Sequence, residues 1–429
     1  MAGVKPSEKQ LRFMDWEFGA FFHFGIRSFF PGHVDWDNRP MPESAFDPDQ
    51  LDCGQWIKTV KEAGAAYAIL VCKHHDGFAN WPTQYSHYSV AYAPWKEGKG
   101  DVVKEFVDAC REYGVKVGLY YSPAQWGGEA AFEMNGKEYD DYFIGQISEL
   151  LTNYGKIDYL WFDGCGSERH EFDKPRIIRA IRSLQPDILI FNMWDPDTRW
   201  IGNEDGYAPM ENANERTDVD FSMMTQDKEA LEGARYLPAE CDCMLRDTWF
   251  DCADNEDKIK EAEELLGMYE MSVGRGANFL LNLGPNRHGL LNEKDAQRVK
   301  EFGALLKKRY GNPISDFGSV SKENDREWSI EIPNYLGERQ GEPVPAPVLV
   351  NRLAIQEDLT NGEAVRTFRV YCHLPGYRGK RICVYKGDTI GHKAICVFPT
   401  MRTGKITVEI TDAKGAAAIL DMKAYFAES

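Results

Sequence analysis

The sequence predicts an α/β protein in which a (β/α)8-type barrel over residues 1–314 is followed by a C-terminal β-sandwich over residues 315–429. Three observations carry this prediction. Through the first 310 residues, short continuous apolar runs alternate with segments of helical period. Near Tyr310 that alternation stops and only strand-like segments remain. Polar and aromatic side chains also cluster just after the apolar runs, where barrel enzymes carry their sites.

The expected barrel strands are Ala20–Gly25, Tyr67–Lys73, Val115–Ser122, Tyr159–Gly164, Ile188–Met193, Arg235–Glu240 and Asn278–Gly284. They are continuous apolar runs rather than alternating ones, as expected when helices cover both faces of a sheet. Between them, Trp56, Val60 and Ala63 share one helix face. Val102, Val103, Phe106, Val107, Cys110 and Tyr113 share another, with Asp101 placed to cap its start and Gly114 its end. Further helices fit Tyr139–Tyr154, Lys174–Leu184, Asn255–Ser272 and Glu293–Tyr310. Seven βα units result, and an eighth is expected within the irregular stretch 205–232. No G-x-G-x-x-G follows a strand, so a dinucleotide fold has no support. Beyond 315, EWSIEI, TFRVYC, KRICVYK, KAICVF, GKITVEI and AAAILDM alternate with turn residues and read as a sandwich, with Gly337–Pro347 as a loop inside it.

The composition is that of a soluble globular chain, with 43% apolar and 28% charged residues. Lys and Arg number 50 against 68 Asp and Glu, a net charge of −18. Such a surface repels phosphate backbones and anionic lipid, which argues against nucleic acid and membrane partners. No apolar run is long enough to span a bilayer. The first residues lack an apolar stretch suited to a signal peptide, which points to the cytoplasm. The ten cysteines are scattered and several sit in apolar runs, so they read as reduced thiols. Cys241-x-Cys243 with Cys252 lacks the second half of a structural zinc motif. Aromatic residues make up 13%, which suits either a large core or flat surfaces that stack on sugar rings.

Polar residues at the strand ends carry the chemistry. These are His23; His74, His75 and Asp76; Tyr120 and Tyr121; Trp161 and Asp163; Trp194, Arg199, Trp200 and Glu204; and Glu240 and Asp242. Carboxylates, histidines and aromatics converging on one rim suit glycoside hydrolysis, which needs one carboxyl as acid and another as nucleophile or base. Taken singly, each has a bland role. A histidine can be a buried hydrogen-bonder, Asp163 a helix cap, Glu204 an exposed turn residue. His74 and His75 point to opposite faces while the strand lasts, so both reach the rim only if the strand has ended.

At this point a resemblance enters. HFG at His23–Gly25, AGAAYAILVCKHHDGFANWP at Ala63–Pro82, VKVGLYYSPAQW, IDYLWFDG and SVGRGANFLLNLGPNRHG at Ser272–Gly289 resemble the α-L-fucosidases of glycoside hydrolase family 29. The match in order and spacing runs through nearly the whole chain. RWIGNEDG at Arg199–Gly206 and YLPAECD at Tyr236–Asp242 resemble the subgroup that acts on α-1,3/1,4-linked branched fucosides.

The resemblance implies a retaining exo-glycosidase without cofactor or metal, acting on a fucosylated oligosaccharide or glycoconjugate. It implies Asp163 as nucleophile, through a covalent β-fucosyl intermediate, and Glu204 as acid/base. It also implies His23, His74 and His75 as partners of the sugar hydroxyls, and Tyr121 and Trp161 as pocket walls. Asp35–Trp36 stand where the family carries Glu-Trp, with a reach one methylene shorter. LRDTWFD after PAECDC also departs from the family pattern, at a stretch that shapes the leaving-group side. Glu240 is expected to support the site, and as a strand-end carboxylate it competes with Glu204 for the acid role. Trp36, Trp161, Trp249 and Phe250 are candidates for an apolar wall against the sugar methyl. The alternatives are a same-fold glycosidase on a related sugar such as an α-L-galactoside, and an inactive carbohydrate-binding homologue, which would lack one of the two carboxylates. A metal-dependent hydrolase built on His23, His74 and Asp163 is disfavoured, because strand 1 carries one histidine where such enzymes carry H-x-H.

Overall fold

The structure is a computed structural model that describes residues 4–37, 39–126, 136–168, 170–220, 228–314, 320–332, 335–339, 342–375 and 379–428. Eight parallel strands form a nearly closed barrel: β1 Phe18–Phe22, β2 Tyr67–Lys73, β3 Lys116–Tyr121, β4 Tyr159–Phe162, β5 Leu189–Phe191, β6 Arg199–Trp200, β9 Ala239–Met244 and β10 Ala277–Leu283. Sheet order runs β5-β4-β3-β2-β1-β10-β9-β6, and a single parallel bridge, Phe191 to Thr198, links its two edges.

The strand period decides which side chains meet. Tyr67, Ile69 and Val71 of β2, Tyr120 of β3, and Tyr159 and Trp161 of β4 fill the lumen together with Phe21, Phe191, Trp200 and Leu280. Their neighbours Ala68, Leu70, Cys72, Leu119, Tyr121, Leu160 and Phe162 pack outward under the helices. Those helices are α2 Cys53–Glu62, α3 Val102–Glu112, α4 Gly136–Asn153, α5 Lys174–Leu184, α6 Ala262–Ser272 and α7 Glu293–Tyr310. Their starts follow from the sequence. Asp52, Asp101 and Asp173 accept the backbone N–H of Gln55, Lys104 and Arg176 at 2.9, 2.8 and 3.2 Å. An additional helix, α1 Glu8–Trp16, closes the barrel floor. Ser7 and Gln10 cap it reciprocally, and Phe13 stands 5.3 Å from the Tyr159 ring and 6.1 Å from that of Tyr67.

Three expectations are corrected here. The eighth strand is β6, which follows β5 with no helix between them, rather than an element of 205–232. That stretch instead contributes an antiparallel hairpin, β7 Glu215–Asp220 and β8 Lys228–Tyr236; residues 221–227 lie outside the described residues. The strand expected over Arg235–Glu240 is β9, shifted toward the C-terminus. Tyr236 ends the hairpin, and Pro238, which has no N–H to give, separates it from β9. Gly337–Pro347 is not a loop throughout, since β13 Tyr335–Arg339 pairs with β14 Glu342–Pro345.

The remaining strands are antiparallel and lie in two sheets. One is β11-β12-β19-β16-β17, comprising Ser321–Asn324, Glu327–Glu331, Lys405–Ala413, Val365–His373 and Arg381–Gly387. The other is β18-β15-β20, comprising Ala394–Thr403, Val348–Glu357 and Ile419–Tyr425. They enclose their own core around Val350, Leu353, Phe368, Val370 and Val408, as in a sandwich. The boundary expected between 314 and 315 falls against residues 315–319, which lie outside the described residues. Buried Glu363 of the sandwich ties it to the barrel. It accepts from Asn214 N and Nδ2 at 2.8 Å each and from the Tyr236 hydroxyl at 2.8 Å. All ten cysteines are free thiols. Among the described residues, no helix is long and apolar enough to cross a membrane.

Two helix glycines should respond in opposite directions to substitution by alanine. A Cβ at Gly303 of α7 would lie 2.3 Å from the Ala63 backbone at the end of α2, so Gly303→Ala should destabilise by roughly 1–3 kcal/mol. Nothing lies within 4 Å of a Cβ at Gly267 of α6, so Gly267→Ala should stabilise by up to about 1 kcal/mol. Chemical denaturation of both variants checks the pair. Equal effects would contradict the packing described.

Candidate active site

A pocket of about 830 Å³, open mouth included, lies at the C-terminal end of the barrel strands. Phe21 of β1, Trp161 of β4, Phe191 of β5, Trp200 of β6 and Trp249 after β9 give it aromatic walls. The Trp161 and Phe191 rings stack at 4.1 Å, and those of Tyr120 and Trp161 at 5.3 Å. His23, Asp35, His74, His75, Tyr120, Asp163, Asn192, Glu204 and Asp242 add polar groups.

The histidines arrive by ordinary local rules. β1 ends at Phe22 and β2 at Lys73, so His23, His74 and His75 lie just past the pleat. With strand alternation over, His74 and His75 both face the pocket, their rings 4.3 Å apart. His23 Nδ1 is 2.7 Å from Asn282 Oδ1, and His75 Nδ1 is 2.6 Å from the Ser122 hydroxyl. Burial holds His23 down to about 3 and drives His74 well below the ordinary imidazole range. Burial also lowers His75, against the pull of Asp163. Neutral imidazoles result, each able to offer one donor and one acceptor.

Asp163 and Glu204 share the pocket but have contrasting neighbours. Asp163 follows β4. The Tyr120 hydroxyl donates to its Oδ2 at 2.8 Å, Cys165 N donates to its Oδ1 at 2.9 Å, and His75 Nε2 lies 3.5 Å from Oδ2. Glu204 sits in the loop after β6. Burial, then the charges of Asp242, Asp163 and Asp35, push its carboxyl up to about 8. Asp35 is raised to about 7 by burial and then by Asp163. Asp242 is raised to about 7 by burial, although Trp200 Nε1 donates to its Oδ1 at 2.8 Å.

The Glu204 backbone is left-handed, with φ of 54°, a conformation that costs a residue bearing a Cβ roughly 1–3 kcal/mol. The surrounding loop holds it in place. Asn203 N donates to Ile201 O at 2.8 Å, Asn203 Nδ2 to Tyr207 O at 2.8 Å, and Asp205 N to Asn203 Oδ1 at 3.0 Å. Gly206, with φ of 72°, is required at the turn. A Cβ there would stand 2.7 Å from Met268 Cε and 3.2 Å from Cys243 Sγ.

Of the residues singled out in the sequence, Asp163, Glu204, His23, Asp35, His74, His75 and Trp161 meet in the pocket. Tyr121, Glu240, Trp36 and Phe250 do not line it. Tyr121 turns outward, where its hydroxyl donates to Gln146 on α4 at 2.6 Å, and Tyr120 occupies the lumen side. Glu240 is the second residue of β9 rather than the end of a strand, and it lies beneath the pocket floor. It accepts from the hydroxyls of Tyr67 and Tyr159 and from Trp161 Nε1, the last at 2.9 Å. Burial raises it to about 7 against these donors. Trp36 packs against Trp126 at 6.1 Å, and Trp126 in turn lies 4.6 Å from His75. Phe250 backs the rings of His23 and His74 at 5.3 and 5.1 Å. Tyr120 and Asp242 belong to the strand-end set but had no role assigned; pairing of Tyr120 with Trp161 fixes the first in the lumen. Asn192 carries a signal only in hindsight. Its φ of 59° turns it so that its Oδ1 accepts Trp200 N at 3.1 Å.

A family model described as Alpha-L-fucosidase matches residues 4–312. The chain is 33% identical to alpha-L-fucosidase 1 of Arabidopsis thaliana, over 92% of this chain and 81% of that protein. It is 25% identical to the plasma alpha-L-fucosidase of Homo sapiens, over 72% and 70% of the two chains. Among solved structures, a glycoside hydrolase 29 family member from an unknown rumen bacterium superposes with a TM-score of 0.86 at 30% identity, covering 100% of this chain and 78% of that one.

The position of Glu240 predicts a structural phenotype. Glu240→Gln confronts the three donors with an amide that donates from one side, leaving at least one buried group unpaired. The expected loss is roughly 1–3 kcal/mol in denaturant unfolding. Unchanged stability would remove Glu240 from this role.

Proposed function

The chain belongs to the alpha-L-fucosidase family, glycoside hydrolase family 29, and from that premise we propose that it hydrolyses terminal α-L-fucosides with retention of configuration. In this reading Asp163, as carboxylate, attacks the anomeric carbon and forms a β-fucosyl ester. Glu204, as carboxylic acid, gives its proton to the departing oxygen. It then takes a proton from the water that opens the ester. One observation carries the assignment of roles. Donors converge on Asp163, whereas burial and the neighbouring carboxylates raise Glu204 to about 8, so two like groups in one pocket are set apart for opposite tasks. Glu240 is accounted for as a floor residue, which supports Glu204 over its rival.

His23, His74 and His75 are proposed to pair with the sugar hydroxyls, since neutral imidazoles both donate and accept. Asp35, which also lines the pocket, joins them, and Trp161 with Trp249 offers the deoxy methyl an apolar surface. Tyr120 positions Asp163 through its hydrogen bond. The RWIGNEDG and YLPAECD segments, which supply Glu204 and Asp242 to one pocket, support preference for α-1,3/1,4-linked fucose in branched oligosaccharides.

Asp163→Gly should lower turnover by roughly three to six orders of magnitude. Azide should restore part of it on an activated fucoside and give the β-fucosyl azide. Near-normal turnover, or α-azide as the product, would remove Asp163 from the nucleophile role. Glu204→Ala should slow a natural trisaccharide by roughly 10²–10⁴-fold while sparing an aryl fucoside with a good phenolate leaving group much more. Leaving-group dependence confined to another carboxyl would reassign the acid.

The pH profile tests the same roles. Glu204 must be protonated to act as acid, so kcat/KM should fall as pH rises through about 8. At that pH Asp242 is charged, its own carboxyl titrating about 7. Asp242→Asn removes a repelling charge, eases ionisation of Glu204 and should move the basic limb to lower pH. A limb that stays in place or moves upward would contradict the coupling.

A further inference from the structure

Two loops meet beside the mouth of the pocket. One follows β1 and carries Asp35; the other follows β9 and carries Trp249, and both residues line the pocket. Where the loops touch, His33, Cys252 and Asp254 bring a ring nitrogen, a sulfur and a carboxylate oxygen within 4.8 Å of one another. His33 Nε2 stands 3.3 Å from Asp254 Oδ2, and the Cys252 thiol donates to Asp254 Oδ1 at 2.8 Å. Ligand atoms around tetrahedral zinc are roughly 3.3–3.8 Å apart, given bonds of about 2.0–2.3 Å, so small side-chain rotations bring the three into that range. A mixed nitrogen, sulfur and oxygen set suits a borderline-soft ion rather than calcium or magnesium. Cys252 is buried and fixes one vertex, whereas His33 and Asp254 are exposed and leave a path of entry.

We infer that His33, Cys252 and Asp254 form a site for a zinc-class divalent cation that clamps the two loops together. On binding, the thiol proton passes to solvent and the Cys252 thiolate bonds to the ion; nothing is oxidised, and water takes the fourth position. None of the three residues lines the pocket, so the ion takes no part in bond cleavage. By fixing the loops that carry Asp35 and Trp249 it restrains the pocket rim, and it therefore slows turnover.

The test titrates the metal-free full-length protein with Co²⁺. One equivalent should produce a thiolate-to-cobalt charge-transfer band with the visible bands of a four-coordinate ion, and Zn²⁺ should displace them. Cys252→Ser should abolish the charge-transfer band, and His33→Ala should weaken binding by roughly tenfold or more. Zn²⁺ should lower fucoside turnover of the unmodified protein, reversibly with chelator. It should leave Cys252→Ser, whose basal turnover is unchanged, unaffected. The site is overturned by absence of a stoichiometric band, or by a band that survives Cys252→Ser and so belongs to another thiol. The clamp is overturned by binding that leaves turnover unchanged, or by equal inhibition of both proteins.

Discussion

A nearly closed barrel admits to its lumen only every second residue of each strand, and this constraint governs the rest of the molecule. It sends Tyr67, Tyr120, Tyr159, Trp161 and Trp200 inward and their neighbours out under the helices. The lumen of this chain holds several rings with a polar edge, and each edge needs a partner once buried. Glu240 supplies one for Tyr67, Tyr159 and Trp161, and Asp242 supplies one for Trp200. The two are two residues apart on β9 and so face the same way at successive heights. The lower one locks the floor and the upper one opens into the pocket. One strand thus provides both the rigidity of the site and part of its electrostatics.

The electrostatics follow from that packing. Asp35, Asp163, Glu204 and Asp242 line one pocket, and burial disfavours charge on Asp35, Glu204 and Asp242. Asp163 is met by the Tyr120 hydroxyl and a backbone N–H, while Glu204 faces other carboxylates and is pushed up to about 8. In the proposed mechanism the difference in role therefore arises from placement and not from residue type. The strained, strapped backbone at Glu204 belongs to the same picture. Left-handed geometry at a residue bearing a Cβ persists because Asn203 and Gly206 fix the turn on either side of it.

Much was legible in the chain itself, because local chemistry dictates it. Apolar runs gave β2 its bounds at Tyr67–Lys73, and period and capping gave α5 and α7 theirs at Lys174–Leu184 and Glu293–Tyr310. The change of period after Tyr310 marked where parallel strands give way to antiparallel ones. Motifs such as KHHDGF and LWFDG identified the family and pointed to His23, His74, His75, Asp163 and Glu204, all of which the fold gathers in one pocket. β6 leaves no signal in the sequence because Arg199–Trp200 is too short to show a period. The hairpin of β7 and β8 was hidden in a charged stretch with no apolar face.

What the sequence could not decide was depth and facing. A shift in where β9 begins turns Glu240 from a rim residue into a floor residue, and one step of the pleat exchanges Tyr121 for Tyr120. These choices depend on register between strands far apart in the chain, such as Tyr120 opposite Trp161 and Glu240 opposite Asn278, which no local pattern records. The shifts at Glu204 and Asp35 likewise come from burial, and then from charges brought close by folding. The sequence by itself determined the family, the elements and the chemical inventory. Only the tertiary structure decided which groups reach the pocket and in which state of ionisation, because pairing register and burial are properties of the closed barrel and not of any segment within it.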